Sequence, residues 1–128
     1  DLKEIFSTCD VISLHTPLMD KTKGMVNAEL LGLMKEKAVL VNASRGGIVD
    51  EAALEKVLKE KKIYGAGFDV FATEPLEEDS PLRKLDNIVL TPHLGAGTEE
   101  AQLRVGQMSV SQLQEFFINN NVVNEVKA

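Results

Sequence analysis

The sequence predicts an α/β fold, with about four parallel strands joined by crossover helices and closed by a long carboxyl-terminal helix. Three observations carry that reading. Four short apolar runs, 11–15, 38–42, 64–70 and 87–90, alternate with amphipathic stretches of helical period. No two runs are joined by the two-residue turn that closes an antiparallel hairpin, so the strands pair in parallel through crossovers. The 128 residues, 44% hydrophobic and 27% charged with 9 Gly, suit one compact domain and exclude disorder, collagen-like repeats and low complexity.

The chain opens on an acidic, helix-like stretch, Asp1-Leu2-Lys3-Glu4. Val11-Ile12-Ser13-Leu14-His15, rich in β-branched residues and bounded by Asp10 and Thr16-Pro17, reads as a buried strand. Asn27 caps a short helix over 28–34, and Ala38-Val39-Leu40-Val41-Asn42 forms a second buried strand that Ser44-Arg45-Gly46-Gly47 breaks. Asp50 is the next cap, with Glu51 beside it. Ala53, Leu54, Val57 and Leu58 make a 3.6-residue stripe that runs into the lysine-rich 59–62, so acids at the start and bases at the end complement the helix dipole. The third strand contains Gly65 and Gly67, which weaken it alone but admit another backbone closely. Pro75, Pro81 and several carboxylates make 74–86 an exposed loop with one helical turn over 81–84. The fourth strand ends at Thr91-Pro92.

Thr98 caps the longest helix, with Glu99 and Glu100 in its first turn. Leu103, Val110, Leu113 and Phe117 share one face, Val105, Met108 and Phe116 widen the stripe, and Asn119-Asn120-Asn121 ends it. That stripe reads as core or subunit interface. Crossovers that keep stepping in one direction place their helices on one face of the sheet, so this last helix or a second subunit is expected to cover the other.

Charge and cysteine usage narrow the classes. With 14 basic against 20 acidic residues, net charge −6 and no basic cluster, the chain would be repelled by a phosphate backbone, and no nucleic acid partner is expected. Cys9 stands alone, which excludes an internal disulfide framework and suits a reducing compartment, the cytoplasm by default. No apolar run approaches the ~20 residues that span a bilayer, so no membrane partner is expected. The start lacks Met and any apolar signal core, and the chain reads as cut from something longer. Cys9, His15 and His93 share no ligand spacing, so no metal site is expected.

Parallel sheets present ligand sites beyond the carboxyl ends of their strands. There this sequence places His15-Thr16-Pro17, Asn42-Ala43-Ser44-Arg45-Gly46-Gly47, Asp69-Val70-Phe71-Ala72-Thr73-Glu74-Pro75 and Thr91-Pro92-His93-Leu94-Gly95-Ala96-Gly97-Thr98. An arginine, a carboxylate and an imidazole on one rim are the parts needed to bind an anionic 2-oxo acid, polarise its carbonyl and move a proton at neutral pH.

The segments Val41-Asn42-Ala43-Ser44-Arg45-Gly46-Gly47-Ile48-Val49-Asp50-Glu51, Gly65-Ala66-Gly67-Phe68-Asp69-Val70-Phe71-Ala72-Thr73-Glu74-Pro75 and Leu90-Thr91-Pro92-His93-Leu94-Gly95-Ala96-Gly97-Thr98 resemble the signature segments of the D-isomer-specific 2-hydroxyacid dehydrogenases. They follow the order and spacing of that family, and His93-Leu94-Gly95-Ala96 with Thr98-Glu99-Glu100-Ala101-Gln102 is most similar to its D-3-phosphoglycerate dehydrogenase branch. Three linked motifs are far more specific than one short glycine pattern. The resemblance implies that residues 1–120 are the carboxyl-terminal half of a Rossmann-type NAD-binding domain, and 121–128 a residual linker toward a substrate domain. It implies that Arg45 binds the substrate carboxylate and carbonyl, that His93 exchanges the proton, and that Glu74 pairs with His93. It places NAD contacts on Thr16, Ala43, Ser44, Arg45, Asp69, His93, Leu94, Gly95 and Ala96.

The sequence also departs from the family. Neither the glycine-rich turn that holds the pyrophosphate nor the acidic residue that holds the adenosine ribose is found, and Gly65-Ala66-Gly67 lies inside a strand, where it opens no helix. The chain by itself is therefore expected to bind NAD weakly or not at all, and to turn over no substrate. An exposed edge at 11–15 invites pairing with a second copy, so a homodimer is expected. Outside their motifs, Arg45, Glu74 and His93 read as solvated side chains, Asp69 as a strand cap, and His15 as a structural histidine bonded to backbone. Two other classes stay open. A receiver domain would place a phosphoacceptor where Asp69 stands but needs an acidic pair where this chain has His15-Thr16-Pro17. A non-catalytic folding or assembly module, truncated or engineered, is the other.

Overall fold

The computed structural model describes residues 1–126, which divide into two compact units, 1–93 and the residues from Leu94 onward. The first unit contains α1 (Leu2–Thr8), β1 (Val11–Leu14), α2 (Ala28–Leu33), β2 (Val39–Asn42), α3 (Glu51–Lys59), β3 (Gly65–Phe68), a 3-10 turn (Pro81–Lys84) and β4 (Ile88–Leu90). The second contains α4 (Glu99–Asn119) and its flanking segments. Side-chain caps set the helix starts: Asp1 accepts from the Lys3 amide, Asn27 from Leu30, Asp50 from Ala52 and Ala53, and Thr98 from Ala101. Asn120, at φ 50°, ends α4 in the left-handed conformation that asparagine tolerates. Of the expected tail, residues 122–126 form no helix or strand, and 127 and 128 lie outside the described residues.

The four strands form one parallel sheet in the order β1-β2-β3-β4. Its register aligns Ile12, Leu40, Ala66 and Ile88 in one row and Leu14, Asn42, Phe68 and Leu90 in the next but one. Both rows face one core with Phe6 of α1, Leu30 and Leu31 of α2, and Leu54 and Leu58 of α3. On the other face Val11 is 64% exposed and Val89 68%, Ser13 is exposed as well, and Val39 and Val41 are half-buried. This corrects the reading of β1 as a buried strand: it is an edge strand covered on one face. The physical reason is the strand order, because successive crossovers in one direction stack their helices on the same side. The close approach expected at the glycines is real at Gly65, where an added Cβ would lie 2.8 Å from the Asn87 carbonyl oxygen.

In the second unit no residue of α4 is buried, and Leu103, Val110, Leu113 and Phe117 of its apolar stripe are all exposed. The Phe116 and Phe117 rings meet edge to face with centroids 4.9 Å apart. Stability should follow this division. Leu54→Ala, at a fully buried position, should cost about 2–5 kcal/mol in urea unfolding. Leu103→Ala, on the exposed stripe, should stay within about 0.5 kcal/mol. Equal costs would show that the apolar face of α4 is buried in solution.

Candidate active site

Parallel pairing brings the four carboxyl strand ends to one rim, and a buried amide shapes the second of the loops that leave it. Asn42, at the end of β2, is 1% exposed. A polar group so placed must find partners inside the protein. Its Nδ2 donates to the Arg45 carbonyl at 3.0 Å, and its Oδ1 accepts from the Ser44 amide at 3.2 Å and the Ser44 hydroxyl at 3.0 Å. The turn that presents Arg45 is thus wound around the side chain of Asn42. The guanidinium stays exposed, with Nη1 donating to the Ser44 carbonyl at 2.6 Å. Ala43 is exposed, while His15, Thr16, Pro17, Ser44 and Arg45 line a cavity of about 270 Å³. His15 is not bonded to backbone as expected. Its ring is exposed and its Nε2 lies 2.8 Å from the Ser13 hydroxyl, because alternation along β1 puts both side chains on the face opposite the core.

The third and fourth loops meet beside this turn in the chain order of the sheet. Asp69, just past β3, accepts a short hydrogen bond from the Thr91 hydroxyl just past β4. Glu74 uses both carboxylate oxygens: Oε1 accepts from the Phe71 amide at 2.9 Å, and Oε2 pairs with His93 Nδ1 at 2.7 Å. The two side chains are 35% and 47% exposed. They line a cavity of about 530 Å³ with Phe71, Leu76, Arg83 and Thr91. His93 itself has φ 54°, a left-handed backbone that a non-glycine residue adopts at a cost and that recurs at functional sites. An imidazole that donates from Nδ1 to a carboxylate keeps Nε2 for proton exchange with a substrate. The hydrogen bond from His93, and then that from the Phe71 amide, hold the Glu74 carboxyl below its ordinary range.

The structure therefore joins Glu74 to His93 directly and places Arg45 with Thr16 and Ser44 in the other cavity. Leu94, Gly95 and Ala96 open the second unit, where the Leu94 carbonyl accepts from the Gly97 amide at 2.9 Å and the Ala96 carbonyl from Gln102 Nε2 at 2.6 Å. Sequence reasoning quoted Asn42 without giving it a role. A lone asparagine ending an apolar strand, three residues before an arginine, was the available signal.

The rim offers Thr16 and Ser44 hydroxyls and the Asp69 carboxylate, groups of the kind that hold a nicotinamide riboside. A pyrophosphate is held best at a helix N-terminus, where free amides and the positive dipole end favour an anion. Among the described residues every α-helix carries an acidic residue in its first turn: Glu4 in α1, Glu29 in α2, Glu51 in α3, Glu99 and Glu100 in α4. Two of these are engaged elsewhere, Glu29 with Lys3 at 2.6 Å and Glu51 with the Ala72 amide at 2.6 Å.

The sequence model of a family described as D-isomer specific 2-hydroxyacid dehydrogenase, NAD binding domain, matches residues 1–95. The D-3-phosphoglycerate dehydrogenase of Methanocaldococcus jannaschii is 45% identical over 97% of this chain and 24% of its own length. The glyoxylate reductase of Korarchaeum cryptofilum is 44% identical over 97% of this chain and 38% of its own. Among solved structures, the NADPH-dependent glyoxylate/hydroxypyruvate reductase of Sinorhizobium meliloti, in complex with NADP and malonate, superposes with a TM-score of 0.87 at 31% identity, covering 98% of this chain and 39% of that one. The chain thus spans between a quarter and two fifths of the length of these relatives.

The carboxylate–imidazole pair has a titration signature. Because Glu74 is held below its ordinary value of 4.5 in the folded chain, its contribution to stability is complete above that value and is lost as the pH falls through the lowered one. Carboxyl carbon NMR should place the Glu74 midpoint below 4.5. His93→Ala should raise it without restoring it fully, since the Phe71 amide remains. A midpoint that ignores the substitution would dissolve the pair.

Proposed function

The chain belongs to the D-isomer specific 2-hydroxyacid dehydrogenases, as part of their NAD-binding domain, and we propose that it supplies the catalytic rim of an enzyme that interconverts a 2-hydroxy acid and its 2-oxo acid. The hydrogen bond between Glu74 and His93, on the same rim as Arg45, carries this reading. Arg45 engages the substrate carboxylate and carbonyl oxygen through its forked donors. His93 Nε2 gives a proton to that oxygen in reduction and takes it back in oxidation. Glu74 orients the ring through its hydrogen bond to Nδ1. NAD, when bound, would supply the redox half of the reaction, and Thr16, Ala43, Ser44, Arg45, Asp69, His93, Leu94, Gly95 and Ala96 would be its contacts, Asp69 near the nicotinamide ribose or amide. The wording of residues 93–102 favours a parent of the phosphoglycerate dehydrogenase type.

Taken alone, the 128-residue chain binds NAD weakly or not at all and turns over no substrate, because these 128 residues contain neither the glycine-rich turn that holds the pyrophosphate nor a substrate domain. It associates with a second copy through β1, the edge strand of the sheet, whose Val11 lies exposed. Sedimentation should show a dimer, and a monomer at high micromolar concentration would refute this.

Catalysis is testable by graft. Residues 1–120, placed over the matching segment of the Korarchaeum cryptofilum glyoxylate reductase, should preserve reduction of glyoxylate by NADH or NADPH. His93→Ala in the graft should cut kcat by about 10²–10⁴-fold. The 128-residue chain, with hydroxypyruvate and NADH, should give no rate above its own His93→Ala variant. A graft indifferent to His93 would overturn the assignment.

A further inference from the structure

Glu51 enters the sequence pattern as one more acid at the start of α3, but its side chain leaves the helix. Glu51 Oε1 accepts from the Ala72 amide at 2.6 Å, across 21 residues of chain. Ala72 lies two residues before Glu74, in the loop that carries it. The adjacent amide, Phe71, donates to Glu74 Oε1 at 2.9 Å. Two successive amides of one loop are thus held by two carboxylates, one from α3 and one from the loop itself.

A third restraint comes from the turn that bears Arg45. A Cβ added to Gly46 would lie 1.7 Å from the Phe71 carbonyl oxygen, 2.1 Å from its carbon and 2.8 Å from the Ala72 nitrogen. Only glycine lets the Arg45 turn lie against that peptide plane. The Phe71–Ala72 peptide is therefore gripped between the turn bearing Arg45 and the first turn of α3. Phe71 is buried, so the grip has a fixed base.

From this we infer that Glu51 is a positioning residue, which with Gly46 clamps the Phe71–Ala72 peptide and so sets Glu74, and through it the His93 ring, relative to the Arg45 turn. The inference rests on the reading of Arg45, Glu74 and His93 as the catalytic trio. A carboxylate is suited to the task because a charged acceptor makes a stronger hydrogen bond to an amide than a neutral one does. Asp50, its neighbour, is engaged otherwise, with Oδ1 accepting from Ala52 and Ala53 as the helix cap.

The 128-residue chain itself can be tested, without substrate or cofactor. In Glu51→Ala, amide exchange at Ala72 should quicken at least about tenfold. The Glu74 carboxyl midpoint should move upward by at least about 0.5 pH, as its alignment with the Phe71 amide and His93 loosens. Glu51→Gln, which keeps an acceptor, should show smaller changes of the same sign and serves as the reading if the alanine variant does not fold. Asp50→Asn removes a charge from the same helix end and should leave the Glu74 midpoint in place. An unaltered midpoint in both Glu51 variants, or an equal shift in Asp50→Asn, would reduce Glu51 to a helix-end charge and overturn the clamp. That result would leave the trio itself to the graft assay, where loss of the His93 effect is the separate sign that the trio is misassigned.

Discussion

The parallel register is the constraint on which this site depends. Leu14, Asn42, Phe68 and Leu90 stand side by side as the last residues of their strands, so four loops begin at one level and their polar residues share one rim. Hydrogen bonds then link neighbouring loops across that level. The Asp69 amide donates to the Asn42 carbonyl at 3.0 Å and the Thr91 amide to the Phe68 carbonyl at 2.9 Å. The same ladder that builds the sheet thus continues one residue into the loops after β3 and β4. Arg45, Glu74 and His93 come from three different loops, and no local sequence preference relates them. The sheet does.

Charge is distributed differently over the helix starts and the rim. The carboxylates at the helix starts stabilise the helices by complementing the dipole, an effect of some 0.3–1 kcal/mol each at exposed sites. The polar groups of the rim are hydroxyls, the guanidiniums of Arg45 and Arg83, the imidazoles of His15 and His93 and the carboxylates of Asp69 and Glu74.

Much of the fold was legible in the sequence because it rests on local rules. Asn27, Asp50 and Thr98 cap their helices as their chemistry dictates, and the four apolar runs become the four strands. Burial was less legible, since Val11 and Val89 have the same composition whether a layer covers them or not; only the strand order decides it. At the site, the pairing of Glu74 with His93 followed from the linked motifs. Asn42 and Glu51 escaped because their roles are made by hydrogen bonds to backbone amides and carbonyls, which carry no side-chain signature. Gly46 escaped for the complementary reason: what matters there is the absence of a Cβ against a peptide that only the folded chain brings near.

The simple strand order also bears on how the chain acquires its structure during synthesis. Each pairing joins segments between 22 and 28 positions apart, as Val11 with Val39, Val39 with Gly65, and Ala66 with Ile88. No strand waits for a distant partner to be made. Loop closure on this scale is entropically mild, and such a sheet can grow in the direction of translation, each crossover adding one strand to an edge already formed. In that process the rim is completed last, when β4 docks and His93 arrives beside a Glu74 already in place.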